Sequence, residues 1–453
     1  MKIAKFGGTS VGTVQHIDQC LRILMNDPSF RVAVISATAN TSNELTLALQ
    51  KCYLGKWEAA LDFLNRICDR HLLLAENCGG SQVVLGEVKD IFEEGVRVLD
   101  KLRHDRENYY QYADHVLAIG ERVSSLIFSE RAKVLQLNAE LVDVTQLLIT
   151  DSLYGRANPI IHLSKHNVET YLKPKINDAL IVTQGFIARD KRGHYTTLGR
   201  EGSDYSVSLL GAMLEVEEIA LFKRDVKGIY QFDPRVLSDV KVIGKLSYGD
   251  AINMTYLGAK VLHHKTVFPA MQQGIPIRVD SSEFPFQEGT LISEEGGSGL
   301  IGLSRRTDQY LLYLKNTDFL DTHVFVEKIN GIFSKYRFNI DLLTICKNSA
   351  YIVIDDSVGG TIRGAAQMTV FENTGFKKEL SEFADYQLID KLELVSVIGD
   401  HNSGTLNLMI EAVGQLDVKY FFASPERNSF SVLVDQSDVL SCLHAMKNFL
   451  NRE

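Results

Sequence analysis

The chain has 453 residues, 45% of them hydrophobic and 23% charged, with a formal net charge of −9. That length suggests roughly two to four domains with ample core, and the acidic balance argues against a standing attraction to nucleic acid or anionic membranes while leaving room for local basic pockets that suit phosphates. Cys20, Cys52, Cys68, Cys78, Cys346 and Cys442 lack CxxC spacing, which excludes a disulfide framework and fits reduced thiols. No apolar run approaches a membrane span and no basic-plus-apolar leader precedes Lys5, so the expected location is cytoplasmic.

In chain order, "MKIAKF" and "FRVAVISA" (30–37) are short apolar runs that end in small or polar residues. They predict buried parallel strands delivering loops at their C-terminal ends, with a helix between them. Residues 45 to about 135 are helical in pattern, "EVKDIFEEGVRVLDKLR" being clearly amphipathic. "ELVDVTQLLIT", "DALIVTQGFIA", "EIALFKRDVKGIY" and "IPIRVDSS" return to strand character, around helices near 205–214 and 260–273. The alternation predicts one α/β layer domain with a mainly parallel sheet over 1–293. "ISEEGGSGLIG" reads as the start of a linker, set at 294–306. Beyond it, strand–helix–strand–strand order occurs twice, which predicts two similar α+β units at 307–388 and 389–453.

"KFGGTS" (5–10) runs lysine into two glycines and two hydroxyl residues. Gly7 and Gly12 have P-loop separation, but Thr13 stands where that motif needs lysine. The same parts still let backbone N–H groups approach a polyphosphate, Thr9 and Ser10 open a helix, and Lys5 act as a point charge. A snorkelling lysine before a tight turn fits equally. In "TTLGREGSDYSVSLLGAML" (196–214), Ser203 and Asp204 occupy cap positions of a helix, and Asp204 reads as an N-cap or as a functional carboxylate. "FKRDVKGIYQFDPR" (222–235) reads as a polar hairpin or as nucleotide contacts. Glu121, in "LAIGERVSSLIF", taken alone reads as an exposed partner of Arg122 or Arg131. His263 and His264 have no Cys or carboxylate at ligand spacing, so no protein-held metal is expected.

"KFGGTSVG", "GERVSS", "QGFIA", "TTLGREGSDYS", "DVKGIY..DPR" and "GAKVLHH" follow one another in an order and spacing that resembles the aspartokinases. The resemblance covers essentially the whole chain. It implies a three-layer amino-acid-kinase (carbamate-kinase-like) domain with paired ACT (ferredoxin-like) regulatory domains. It further implies transfer of the γ-phosphate of ATP, with Mg²⁺ on the nucleotide, to the β-carboxylate of L-aspartate. By that resemblance Lys5 and Asp204 are catalytic, and Ser42, Glu121, Phe186, Arg200, Gly202 and Ser203 bind aspartate. Arg200 would grip the α-carboxylate and Glu121 the ammonium. Lys5, Gly7, Gly8, Arg224, Asp225, Tyr230, Arg235 and Lys260 would meet the nucleotide.

The chain departs from the family in several places. Glu201 replaces a glycine common before Ser-Asp, and so is expected to face solvent or pair with a nearby Lys or Arg. Lys223-Arg224 stands where Trp-Thr is common, Ser42 replaces threonine, and His264 replaces proline. The regulatory half resembles lysine-sensitive monofunctional members, with Phe319, Asp321, Thr322, Phe325, Val326, Asp341, Ile345 and Cys346 at effector positions. There, Ile345, Cys346 and Lys347 replace more polar residues. A homodimer, or a dimer of dimers, through these units is expected because exposed sheet edges are best covered. Two other readings are an amino-acid-sensing protein with a weak kinase half, and a same-fold kinase acting on another acidic amino acid.

Overall fold

The structure, a computed structural model, describes residues 1–259, 262, 264–287, 289–336, 338, 340–355, 372–400, 403–423 and 428–450. It divides into two compact units, each described in turn. One comprises Met1–Tyr230, Val240–Thr255 and Lys260–Gly297; the other comprises Gln231–Asp239, Tyr256–Ala259 and Ser298–Glu453.

The strands of the first unit are β1 (Lys2–Phe6), β2 (Phe30–Ile35), β3 (Ala139–Val142), β4 (Ile149–Thr150), β5 (Leu180–Gln184), β6 (Ile187–Asp190), β7 (Tyr195–Thr197), β8 (Glu218–Lys223), β9 (Lys245–Ser247), β10 (Ile277–Ser281) and β11 (Thr290–Ser293). Eight of them form one sheet in the order β3-β5-β2-β1-β8-β10-β11-β9, parallel throughout except at β10–β11. β1 lies at its centre because both faces of "KIAKF" are apolar: Ile3, Ala4 and Phe6 are fully buried. Phe6 stacks between Phe128 and Phe222, with ring centroids 5.9 and 5.3 Å away. Pairing of Phe6 with Ile35 and Phe222, Ile35 with Gln184, and Ser281 with Lys223 aligns the C-terminal ends of five strands on one edge. Ligands of open α/β sheets bind at such an edge.

Helices α1 (Val14–Asn26), α2 (Thr41–Tyr53), α3 (Trp57–Asn77), α4 (Gln82–His104) and α5 (Tyr109–Val134) follow, then α6 (Ile161–Asn167), α7 (Gly202–Leu214), α8 (Tyr248–Tyr256) and α9 (His264–Gln272). α4 opens on Ser81, whose hydroxyl accepts from the Val84 N–H, and closes with Lys101, Arg103 and His104 beside its negative pole. α5 is buried around most of its circumference from Ala113 to Ser129, as a helix sandwiched between other layers must be. β4, β6 and β7 make a separate small sheet. Two expected strands are therefore split. "ELVDVTQLLIT" becomes β3 and β4 with a 3₁₀ turn between them, and "DALIVTQGFIA" becomes β5 and β6, broken at Gly185-Phe186.

The second unit contains β12 (Leu300–Asn316), α10 (Thr322–Tyr336), β13 (Ile340–Cys346), β14 (Ser349–Asp355), α11 (Thr374–Ser381), β15 (Ala384–Gly399), α12 (Ser403–Val413), β16 (Val418–Ala423), β17 (Ser429–Asp435) and α13 (Val439–Leu450). Its strands form one six-stranded sheet, β13-β14-β12-β15-β17-β16. The two long strands each serve two modules. Residues 309–316 of β12 pair with β14 and with the first half of β15, while residues 300–306 pair with the second half of β15, which in turn pairs with β17. The register shifts between Arg306 and Leu311, and Asp308 and Lys391 take positive φ where each strand passes from one module to the other. Residues 300–306, read from sequence as linker, are thus strand. The expected division at 388/389 falls inside β15.

Candidate active site

At the aligned strand ends lies a cleft of about 430 Å³ lined by Lys5, Gly7, Gly8 and Thr9, by 37–40, Ser42 and Asn43, and by Lys223, Asp225 and Val226. Gly8 lets two loops meet here: a Cβ on it would lie 2.5 Å from the Ala37 carbonyl oxygen. The turn after β1 is a 3₁₀ segment at Gly8–Ser10, and the longer helix α1 opens only at Val14, capped by Thr13. The helix expected at Thr9-Ser10 therefore begins later, at Val14, where the Thr13 hydroxyl accepts from the His16 N–H and supplies the cap.

Lys5 Nζ lies 2.5 Å from Asp204 Oδ1, and both side chains are almost wholly buried. Asp204 Oδ2 lies 3.3 Å from Lys223 Nζ, which is also 3.8 Å from Glu201 Oε2. Two lysines from adjacent strand ends thus share one carboxylate in the first turn of α7. Burial pushes the Asp204 carboxyl up, but Lys223 and Lys5 outweigh it and hold it below its ordinary range. Burial pulls Lys223 down, yet Asp204 and Glu201 leave it above the ordinary lysine value. Glu201 is raised by burial in spite of Lys223. The N-cap of α7 is Glu201, at φ 52° and with no side-chain cap bond. Ser203 and Asp204 therefore sit inside the helix rather than at its cap. Left-handed backbone at this position favours glycine, and Glu201 turns toward Lys223 instead of solvent.

Glu121 departs most from its isolated reading. Arg122 pairs with Glu94 and Arg131 with Asp18, leaving Glu121 3% exposed behind the cleft wall. Its Oε1 accepts from the Ala37 N–H at 3.2 Å, and its Oε2 is buried without a hydrogen-bond partner among the described residues. Gly120 permits this approach, since a Cβ there would come within 2.7 Å of Ala37 Cβ. Burial raises the carboxyl to about 8.

Ser42 and Asp225 line the same cleft as Lys5, Gly7 and Gly8. Phe186, Gly202 and Ser203 are buried and lie outside its lining. Phe186 has φ 65°, held by its N–H donating to Ser206 Oγ at 2.9 Å. Arg200 is exposed in the loop before α7. Arg224 Nε lies 3.7 Å from Glu283. Tyr230 is half-buried, bridged to Val242, and Arg235 is 80% exposed and engages Asp233 through two hydrogen bonds. Lys260 lies outside the described residues.

Sequence reading overlooked Lys223 and Thr38 as cleft residues, and Asp114 as a buried carboxylate outside the cleft lining. Thr38 Oγ1 lies 2.7 Å from Thr41 Oγ1 and 2.9 Å from His71 Nε2, while His71 Nδ1 lies 2.7 Å from the Ile67 carbonyl. A carbonyl only accepts, so Nδ1 carries the proton and Nε2 accepts from Thr38. Burial lowers His71 to about 4, consistent with a neutral ring. Asp114 accepts from the Gly155 N–H, the Thr197 N–H and the Thr197 hydroxyl at 2.7–3.0 Å, tying the 153–158 loop to β7. The only sequence signal for either group is a polar residue on an otherwise apolar helix face.

In the second unit Phe325 belongs to the core with Ile329, Phe333 and Phe376. Asp341 is ion-paired with Arg306. Phe319 is exposed at φ 53°, Asp321, Thr322 and Cys346 are exposed, and Val326 and Ile345 are half-buried.

A model described as the amino acid kinase family matches residues 1–281. Lysine-sensitive aspartokinase 3 of Escherichia coli (strain K12) is 30% identical over 417 residues, covering 92% of this chain and 90% of its own. The chain belongs to the aspartokinase family. An aspartokinase of Chlamydia pneumoniae is 29% identical over 423 residues, covering 90% of this chain and 85% of its own. The crystal structure of E. coli aspartokinase III in complex with aspartate and ADP (R-state) superposes with a TM-score of 0.90 at 26% identity, covering all of both chains. The lysine and aspartate complex of that enzyme (T-state) gives 0.79. Among the described residues no helix is long and apolar enough to cross a membrane, and no cluster of three or more His, Cys, Asp or Glu is arranged for a metal ion.

Proposed function

We propose that this aspartokinase-family chain transfers the γ-phosphate of ATP to the β-carboxylate of L-aspartate, giving 4-phospho-L-aspartate. A carboxylate oxygen forms a bond to the γ-phosphorus as the bond to the β–γ bridging oxygen breaks, and ADP leaves with that electron pair. No base is required, because the nucleophile is ionised at neutral pH. Catalysis is therefore positioning and charge neutralisation. Lys5, fixed by Asp204, meets the transferring phosphoryl group. The backbone after Gly7 cradles the phosphates, and Asp225, which lines the cleft, would hold the Mg²⁺ of the nucleotide, an ion that would offset phosphate charge when bound. Glu121 receives the substrate ammonium at Oε2, Arg200 closes on the α-carboxylate, and Ser42 completes the pocket.

The observation that carries this reading is the buried Lys5–Asp204 pair at the mouth of a cleft whose wall conceals an unpartnered carboxylate oxygen. Lysine is the proposed effector of the second unit, supported by the likeness to a lysine-sensitive relative. Asp341, held by Arg306 in the structure, would exchange that partner for the effector's ammonium. The half-exposed edge strands β13 and β16, bearing Leu343 and Phe421, support association of two chains through that unit.

The test is coupled ADP release with L-aspartate, glutamate and acetylglutamate in turn, repeated under lysine and threonine titration. Aspartate should be the preferred acceptor and lysine should inhibit. Lys5→Ala should lower turnover about a hundred- to a thousandfold, the scale of losing a transition-state charge partner, with an unchanged circular dichroism spectrum. Near-normal turnover in that variant refutes the assignment.

A further inference from the structure

Two departures of this chain from its family's common pattern, Glu201 and Lys223, lie far apart in sequence yet meet in space. Lys223 Nζ sits 3.8 Å from Glu201 Oε2 and 3.3 Å from Asp204 Oδ2. Among the described residues lining the cleft, Lys5 and Lys223 are the two cations. They stand at the ends of neighbouring parallel strands, β1 and β8, and are joined through the two oxygens of Asp204. An ordinary surface pair would be solvated, whereas the Lys223 side chain is 19% exposed and Asp204 2%. The four charges balance, two ammonium groups against two carboxylates. Glu201 makes the looser contact of the two carboxylates on Lys223, and it does so from a backbone conformation better suited to glycine.

We infer that Lys223 is a second phosphate-binding cation, sharing the terminal phosphoryl group of the nucleotide with Lys5, and that Glu201 is its tether. This rests on the aspartate kinase reading above. Asp204 holds both ammonium groups at a fixed separation, and a phosphoryl group entering the cleft replaces Glu201 as the partner of Lys223. Removing Glu201 therefore tightens nucleotide binding, and removing Lys223 weakens it selectively for nucleotides that carry a third phosphate.

The experiment measures calorimetric affinity for the magnesium complexes of ADP and of β,γ-imido-ATP in wild type, Glu201→Gly, Lys223→Gln and the double variant. Lys223→Gln alone strands a buried carboxylate and is the variant prone to misfold. The double variant keeps the cluster charge-balanced, and glycine suits φ 52°. The expected result is imido-ATP binding about tenfold weaker in the double variant, the scale of one charge-assisted hydrogen bond. ADP affinity should change by less than about threefold, and Glu201→Gly should bind imido-ATP several-fold tighter than wild type. Equal losses for both nucleotides, or no loss for either, overturn the inference and leave Lys223 a counter-ion. The outcome is independent of aspartate turnover. If wild type and Lys5→Ala show the same absence of aspartate-dependent ADP release, the kinase reading fails while the binding series still decides Lys223.

Discussion

Glu121 holds one carboxyl oxygen against the Ala37 N–H and buries the other without a partner among the described residues. An anion so placed is unstable, and its pKa rises from 4.5 to about 8. Between those values the folded chain keeps a proton that the unfolded chain has lost, so stability falls as pH rises from 4.5 to 8 and is insensitive to this group outside that window. Glu121→Gln should remove that slope: wild type melts progressively lower than the variant as pH climbs from 5 to 8. A substrate ammonium at Oε2 favours the ionised form, so aspartate binding releases a proton at neutral pH. Aspartate affinity should strengthen by up to about tenfold per pH unit from 6 to 7.5 in wild type and stay flat in the variant, and titrations in buffers of different ionisation enthalpy read the proton directly. The residue type and position of Glu121 are visible in "GERVSS". Its burial is not, because that depends on Gly120 admitting Ala37, a contact across 83 residues of chain.

Between elements, Asp114 does comparable work for the segment ahead of α7. One carboxyl on α5 serves three donors from the 153–158 loop and β7, and burial raises it to about 7. Asp114→Ala leaves those donors buried and unpaired, at about 1–3 kcal/mol each. A net loss of roughly 3 kcal/mol should lower the melting temperature of the first unit by about 6 °C or more, while Asp114→Asn, which retains one acceptor oxygen, should lose less. Scanning calorimetry distinguishes the two. At this scale the alternation of apolar runs made β1, β2, β8 and β10 legible, together with the helical stretch from α2 to α5. The splitting of β5 from β6 was not legible, because Phe186 takes a left-handed backbone conformation that nothing in its residue type favours.

For the whole molecule, the sharing of β12 and β15 makes the second unit cooperative. Residues 300–306 pair with the second half of β15 from Leu300↔Gly399 to Arg306↔Leu394, and Arg305 grips the buried Glu393 across that pairing. A fragment of residues 389–453 lacks that strand and exposes a central edge. It should show no cooperative thermal transition by circular dichroism, whereas residues 298–453 should melt in one.

The amino-acid sequence by itself determined the parallel character of the main sheet, the repeated α+β pattern of the second unit and the place of Lys5 and Gly8 at a cleft. Each of these is written in local periodicity or in a loop motif that directly follows its strand. Ser42 and Asp225 were marked as cleft residues by the family resemblance alone. Only the tertiary structure decided that Asp204 joins two lysines, that Glu121 is buried, that Glu201 faces Lys223, and that an apparent linker completes the last module. Those facts depend on which distant strands become neighbours, and strand pairing is settled by burial summed over a whole sheet.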